Sequence, residues 1–321
     1  MYDVVALGEL VVDFTPYGPS DMGHALYEQN LGGAPANLLC GLAGLRRKTA
    51  FIGKVGADLF GDYLRDTLRE REVDTRGLVQ DPLVTTTLAF VALDSEGERS
   101  FAFVRKPGAD HCLRAGEIDE ALLRDCRIFH TSAFQMTHEP ARSATLHALG
   151  LARSTGAIIS FDPNYREPLW ASAAEAAAQI RAVLPYADLL KVSGEEATLI
   201  TGKGDPETAA HALLGMGPAC VAVTLGREGS IALTRGASAR QAAYPVQAVD
   251  TTGAGDAFWC GFLSRTIDIG RPPYDITGEQ LRDCLRFGAA TAAISIERRG
   301  AISAPITTEG VEAMMTRFGG V

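Results

Sequence analysis

The segment DTTGAGDAFWCGFL, residues 250–263, puts two glycines, a carboxylate and an apolar run side by side. It follows a strand-like stretch, and its pattern predicts a bend and then the start of a helix. Gly253 and Gly255 have no Cβ, so the backbone can turn tightly there and come close to a ligand. The amides of Ala254, Gly255 and Asp256 would then face outward at a helix N-terminus, where free N–H groups and the macrodipole favour an anion. Asp256 falls in the first helical turn. A carboxylate there can take the proton of a hydroxyl that attacks phosphorus, while the amides stabilise charge on the phosphoryl oxygens. An aspartate with the ordinary pKa of about 3.9 is already ionised at neutral pH and needs no tuning for that role. An acid in a first turn can also simply complement the helix dipole, so this segment alone leaves both readings open.

Working outward from the segment, the chain alternates strands and helices. YDVVALGELVVDF reads as a first strand with a turn at Gly8, and TAFIGKVG as a short apolar strand ending at Gly53. DLFGDYLRDTLREREV is amphipathic at helical spacing, with Asp58 as its N-cap. CRIFHTSAF, GAIISFDPN, ADLLKVSG and CVAVTLG are short apolar strands, with helices expected at about 138–154, 172–184 and 206–215 between them. This order predicts a parallel sheet with helices on both faces. GSIALTR and ARQAAYPV form an expected antiparallel pair. TTTLAFVAL and RSFAFVR, separated by DSEGE, read as a hairpin that is polar on one face and so belongs to a smaller sheet. The expected fold is a single α/β domain: a doubly wound, mostly parallel, Rossmann-like sheet with a small β lid drawn from about residues 12–30 and 84–106.

Composition limits the partners. The chain has 321 residues, 46% of them hydrophobic, and a net charge of −9. No broad basic surface invites nucleic acid or anionic lipid, so an anionic ligand must be held locally. The six cysteines form no CxxC, the six histidines no HExxH, and no apolar run reaches the roughly 20 residues of a membrane span. Free thiols in a reducing cytoplasm are the expectation.

Two further stretches carry a resemblance. LGGAPANLLCGLAGL, residues 31–45, and FIGKVGADLFGDYLRDTL precede DTTGAGDAF by some 200 residues, in an order that resembles the ribokinase-like (PfkB) family of carbohydrate kinases. The resemblance runs from Val5 to about Pro305. It implies an ATP- and Mg²⁺-dependent sugar kinase, with Asp256 as catalytic base and the amides at Gly253, Ala254, Gly255 and Asp256 as anion hole. The same resemblance implies sugar contacts from Gly32, Gly33, Asn37 and Asp13, whose acceptor-only carboxylate suits paired hydroxyls. FDPNYREPLW, residues 161–170, resembles bacterial fructokinases and 2-keto-3-deoxygluconate kinases; Asn164 and Arg166 are its substrate-side candidates. Phe103 and Arg105 would close over a sugar from the lid.

On the nucleotide side, Glu196 follows Ser193 where the family often has Asn, and is the metal-side candidate; Lys191 is the candidate phosphate contact. Thr224, Gly226 and Gly229 match the nucleotide loop. Asp250, Thr252, Ser295, Arg298 and Gly300 match a K⁺ site seen in some family members. Fructose is the expected substrate, with 2-keto-3-deoxygluconate, ribose and nucleosides as alternatives, and a homodimer through the lid is expected. An idle sugar- or nucleotide-binding regulator would show a broken GAGD loop, and a dinucleotide oxidoreductase would need a GxGxxG after the first strand; the sequence has neither.

Overall fold

The computed structural model describes residues 1–93, 99–301 and 305–319. The connection expected at DSEGE therefore lies outside the described residues. Strands β1 (Tyr2–Leu7), β2 (Val11–Pro19), β3 (Ala25–Gly32), β4 (Thr49–Gly56), β5 (Val73–Asp81), β6 (Leu88–Leu93) and β7 (Arg99–Val104) precede β8 (Cys126–Ser132), β9 (Ile158–Asp162), β10 (Leu189–Ser193), β11 (Cys220–Thr224), β12 (Ser230–Thr234) and β13 (Ser238–Gln241). Nine of them form one sheet in the order β13-β12-β11-β10-β9-β8-β1-β4-β5. Pairing is parallel from β11 through β5, and β12 and β13 add antiparallel to the edge. The antiparallel pair is the one the sequence predicts, but β13 stops at Gln241 instead of running through ARQAAYPV to Val246, so no strand leads directly into residue 250.

Among the described residues ten α-helices accompany the sheet: α1 (Ala34–Gly44), α2 (Leu59–Glu70), α3 (Glu120–Arg124), α4 (Ala141–Ser154), α5 (Ala173–Val183), α6 (Gly194–Thr201), α7 (Pro206–Leu214), α8 (Ala254–Ile269), α9 (Gly278–Ile296) and α10 (Thr308–Arg317). Side chains of a strand alternate between faces, and β1 shows the result. Val4 and Ala6 join a core with α1, α8 and α9, whereas Val5 and Leu7 join a second core with α4, α5 and α7. A strand buried on both faces reads as one continuous apolar run.

Two local differences have simple causes. The strand expected to end at Gly53 continues to Gly56, all of it buried. Strand β5 has too many polar residues, VDTRGLVQD, to stand out in sequence, yet it pairs with β4 as the sheet edge. Asp58 does cap α2, its Oδ1 accepting from the amides of Phe60 and Gly61.

The turn at Gly8 sends the chain into a second sheet, ordered β3-β2-β6-β7. There β2 pairs parallel with β6 and antiparallel with β3, and β6 pairs antiparallel with β7. Phe14 stacks on Phe90 at 5.0 Å and meets Phe60 of α2 edge-on at 5.8 Å, which seats this sheet on the body.

Candidate active site

From β1 the chain winds outward through β4 to β5; from the neighbouring β8 it winds the other way through β9, β10 and β11. Ligands in open α/β sheets bind at such a reversal, beyond the C-terminal strand ends. Glu9 follows β1, Phe134 follows β8, Asn164 and Arg166 follow β9, Ser193 ends β10 and Thr224 ends β11. All of these residues line one of two adjoining cavities.

The narrower cavity, about 60 Å³, is lined by Glu9, Val11, Asp13, Gly33, Asn37, Phe103, Phe134, Asn164 and Arg166. The wider cleft, about 540 Å³, is lined by Tyr165, Lys191, Ser193, Glu195, Glu196, Thr224, Gly226 and residues 251–256. Asn164, Arg166, Thr252, Gly253 and Asp256 line both.

Asp256 sits where the two meet. Helix α8 starts there because Gly253 adopts φ 73°, a left-handed conformation, and a Cβ on it would lie 2.6 Å from Ala301 Cβ. The Ala254 amide donates to the Thr251 carbonyl at 3.2 Å. The anion hole expected from four amides therefore loses Ala254, because the turn uses that amide. The amides of Gly253, Gly255 and Asp256 have no protein acceptor among the described residues.

The Asp256 carboxylate is buried and accepts from Asn37 Nδ2 at 2.9 Å and Asn164 Nδ2 at 3.1 Å. Burial, then the neighbouring Asp162 charge, raise its pKa to about 6, while Asn37, Lys191 and Arg166 oppose the rise. The sequence expectation of an untuned aspartate is thus corrected: the group remains ionised at neutral pH but is a stronger base. Asn37 and Asn164 line the cavity, yet their amide nitrogens serve Asp256.

Around it the acids are unusually dense. Asp13 is raised to about 7 by burial, with Arg166 opposing and Asp256 adding to the rise. Glu9 also reaches about 7 by burial, although its carboxylate accepts from the Ala34 amide at 2.8 Å and the Ser132 hydroxyl at 2.9 Å. Lys191 Nζ donates to Asp162 Oδ2 at 2.9 Å and lies 2.8 Å from where a Cβ on Gly255 would be. Burial alone would lower the lysine, but Asp162 and Glu196 hold it above its ordinary value.

Several expected contacts fall elsewhere. Arg105 is buried away from both cavities, its Nε and Nη2 donating to Asp110 Oδ2, so it presents no free fork of donors to a ligand. Gly32 clears space for Asp13, since a Cβ there would lie 2.3 Å from Asp13 Oδ2; only Gly33, at φ 111° and closely packed on the Glu9 carbonyl, lines the cavity. Gly229 is packed under the Gln241 carbonyl and is not part of the cleft wall.

Glu196 accepts from the Ser193 and Tyr165 amides, both at 2.7 Å, one on each of its oxygens. Asp250 likewise accepts from the amides of Thr252 and Gly300. It shapes the loop and is not a cleft residue. Among the described residues no group of three or more His, Cys, Asp or Glu could hold a metal ion.

Glu9 and Phe134 escaped the sequence reading. An acid inside the apolar run GELVVDF was a visible signal for Glu9. Nothing local marked Phe134, whose role depends on β8 lying beside β1.

Comparisons with known proteins agree with this geometry. The chain is 40% identical over 308 residues to the Arabidopsis thaliana protein named "Probable fructokinase-2", covering 94% of this chain and 92% of that one. A crystal structure of Xylella fastidiosa fructokinase with bound ATP matches with a TM-score of 0.86 and 31% identity, covering 99% of both chains. A Vibrio cholerae fructokinase structure with fructose, ADP and calcium ion matches at 0.87 and 32%, covering 98% of this chain and 99% of that one. The family model of the pfkB carbohydrate kinases spans residues 1–309, and this chain belongs to that family.

Proposed function

We propose that this protein transfers the γ-phosphoryl group of ATP to the primary hydroxyl of fructose, giving fructose 6-phosphate. One observation carries the reading: Asp256 and the amides beside it that have no acceptor among the described residues lie where the narrow, hydroxyl-matched cavity opens into the wider cleft. A sugar in the first would present a hydroxyl to a phosphate in the second. Asp256 takes the hydroxyl proton as the oxygen attacks phosphorus, and the P–O bond to ADP breaks. The amides of Gly253, Gly255 and Asp256 hold the developing negative charge without reorganising. With a pKa of about 6, Asp256 is mostly ionised at pH 7 and close to the value that serves a general base best. The small sheet acts as a lid that excludes water.

A nucleotide-bound Mg²⁺ would neutralise phosphate charge. Its fit is that of a metal carried by the phosphates, with Glu196, whose two oxygens each already accept one main-chain amide, placed to reach it through water. A K⁺ site beside the loop at Asp250 is supported by Ser295, whose buried hydroxyl has no partner among the described residues. Six free cysteines fit a cytoplasmic setting. The exposed Tyr17, Leu26 and Tyr27 on β2 and β3 support pairing of two copies through the lid.

Fructose is favoured over an acidic sugar because Arg105 is committed to Asp110, leaving three carboxylates and one cavity arginine, Arg166. The deciding experiment measures kcat/KM on fructose, ribose, adenosine and 2-keto-3-deoxygluconate. Fructose should lead the panel; a preference for the keto acid would reverse the assignment.

A further inference from the structure

Arg105 belongs to a buried cluster at the root of the small sheet. Its Nε and Nη2 both engage Asp110, and its Nη1 donates to Thr137 Oγ1 at 3.3 Å. Asp110 also accepts from the Thr87 hydroxyl, next to the start of β6. Arginine and aspartate are 4% and 1% exposed, so water does not screen the pair. The guanidinium carbon lies 4.1 Å from the centroid of the Phe134 ring, against its face. Thr137 closes the loop by donating to the Phe134 carbonyl at 2.8 Å. Phe134 and Phe103, edge to face at 6.1 Å, are the aromatic wall of the narrow cavity.

We infer that Arg105 and Asp110 are positioning residues for the sugar: their ion pair fixes the Phe134 ring as the wall against which the sugar packs. The arginine acts on the substrate through the ring, not by touching it. Replacing a buried ion pair with apolar groups often leaves stability unchanged, so packing alone does not require one here. What the pair supplies is geometry. The planar guanidinium is held by Asp110 on one edge and Thr137 on the other, and it covers a ring face, so Phe134 cannot swing without breaking the whole set. Gly108 permits the arrangement, because a Cβ there would lie 1.8 Å from the Thr87 hydroxyl and 2.8 Å from Asp110. The cluster draws on segments next to β6, β7 and β8, so the wall is set jointly by the small sheet and the main one.

This inference rests on the sugar reading of the cavity. The wild-type substrate panel tests that reading, and a double-mutant cycle tests the inference separately. Arg105→Lys keeps the charge but loses the planar fork. It should raise KM for fructose by about 10-fold, with kcat and KM for ATP within about twofold. Phe134→Leu should cost a similar factor. In the double variant, adding Arg105→Lys to Phe134→Leu should change fructose KM by less than about twofold, because the ring through which Arg105 acts is gone. Additive penalties would overturn the inference, as would a kcat loss with unchanged KM. If Arg105→Lys shows no cooperative melt, Thr137→Val serves in its place. It should raise fructose KM by about threefold in the wild-type background and not in Phe134→Leu. An unchanged KM in Thr137→Val alone would overturn the inference. A wild-type protein that phosphorylates no sugar would overturn both readings together.

Discussion

The base role proposed for Asp256 depends on what surrounds its carboxylate. Two asparagine amides hold it, three main-chain amides with no acceptor among the described residues lie nearby, and burial raises its pKa to about 6. Asp256→Asn should leave the fold and ATP binding intact and reduce kcat by about 10³-fold; full turnover in that variant would rule out the base. The base works only when deprotonated, so kcat/KM should fall about tenfold per pH unit below pH 6, the sign expected of a required anion. Asn164→Ala removes a hydrogen bond to the charged form. Its acid limb should therefore move to higher pH, by about half a unit or more, in pH–rate profiles measured side by side.

At the scale of elements, Glu9 ties together three pieces: the end of β1, the first turn of α1 and the end of β8. Its pKa is raised in the folded state, so the folded protein binds that proton more tightly than the unfolded chain. The charged form then costs stability above about pH 7, and the cost disappears as pH falls toward the ordinary carboxylate range. Glu9→Gln keeps an acceptor for Ala34 and a partner for Ser132 without the charge. It should stabilise the free protein at pH 8 by on the order of 2 kcal/mol and flatten the dependence of Tm on pH between about 4.5 and 7. A lower Tm for Glu9→Gln at pH 8 would contradict this. Helix α8 depends on Gly253 in a different way: its backbone is left-handed and its missing Cβ leaves room for Ala301. Gly253→Ala should cost at least about 1–2 kcal/mol and tilt the amides away from the cleft, so the loss in kcat should exceed the change in Tm.

Across the whole molecule, two sheets share the work. The large one places five strand ends around a single crevice, and the small one contributes Asp13, Phe103 and Gly33's approach to it. The small sheet leaves Tyr17 66%, Tyr27 48% and Leu26 43% exposed. If these faces pair, Leu26→Glu combined with Tyr27→Glu should convert a dimer to a monomer in sedimentation velocity, with the melting transition of the body little changed. An identical sedimentation coefficient for the variant and the parent would exclude that face.

The sequence by itself determined the class of fold and marked the segment proposed to be catalytic. Apolar runs alternating with helical stretches dictate a covered parallel sheet, and a glycine bend before a helix dictates outward amides with an acid beside them. Both depend on residues within a few positions of one another. Which groups share a cavity was decided only by tertiary structure. Arg105 read as a ligand contact until Asp110 and Phe134 enclosed it, the two amides from which Glu196 accepts come from segments that only the fold brings together, and Phe134 carried no local signal at all. The pKa of Asp256 was equally out of reach, because it is set by burial and by Asp162, Asn37 and Lys191, all distant in sequence. Hydrogen-bond saturation and desolvation are properties of a packed neighbourhood, and that neighbourhood exists only once the strands have taken their order.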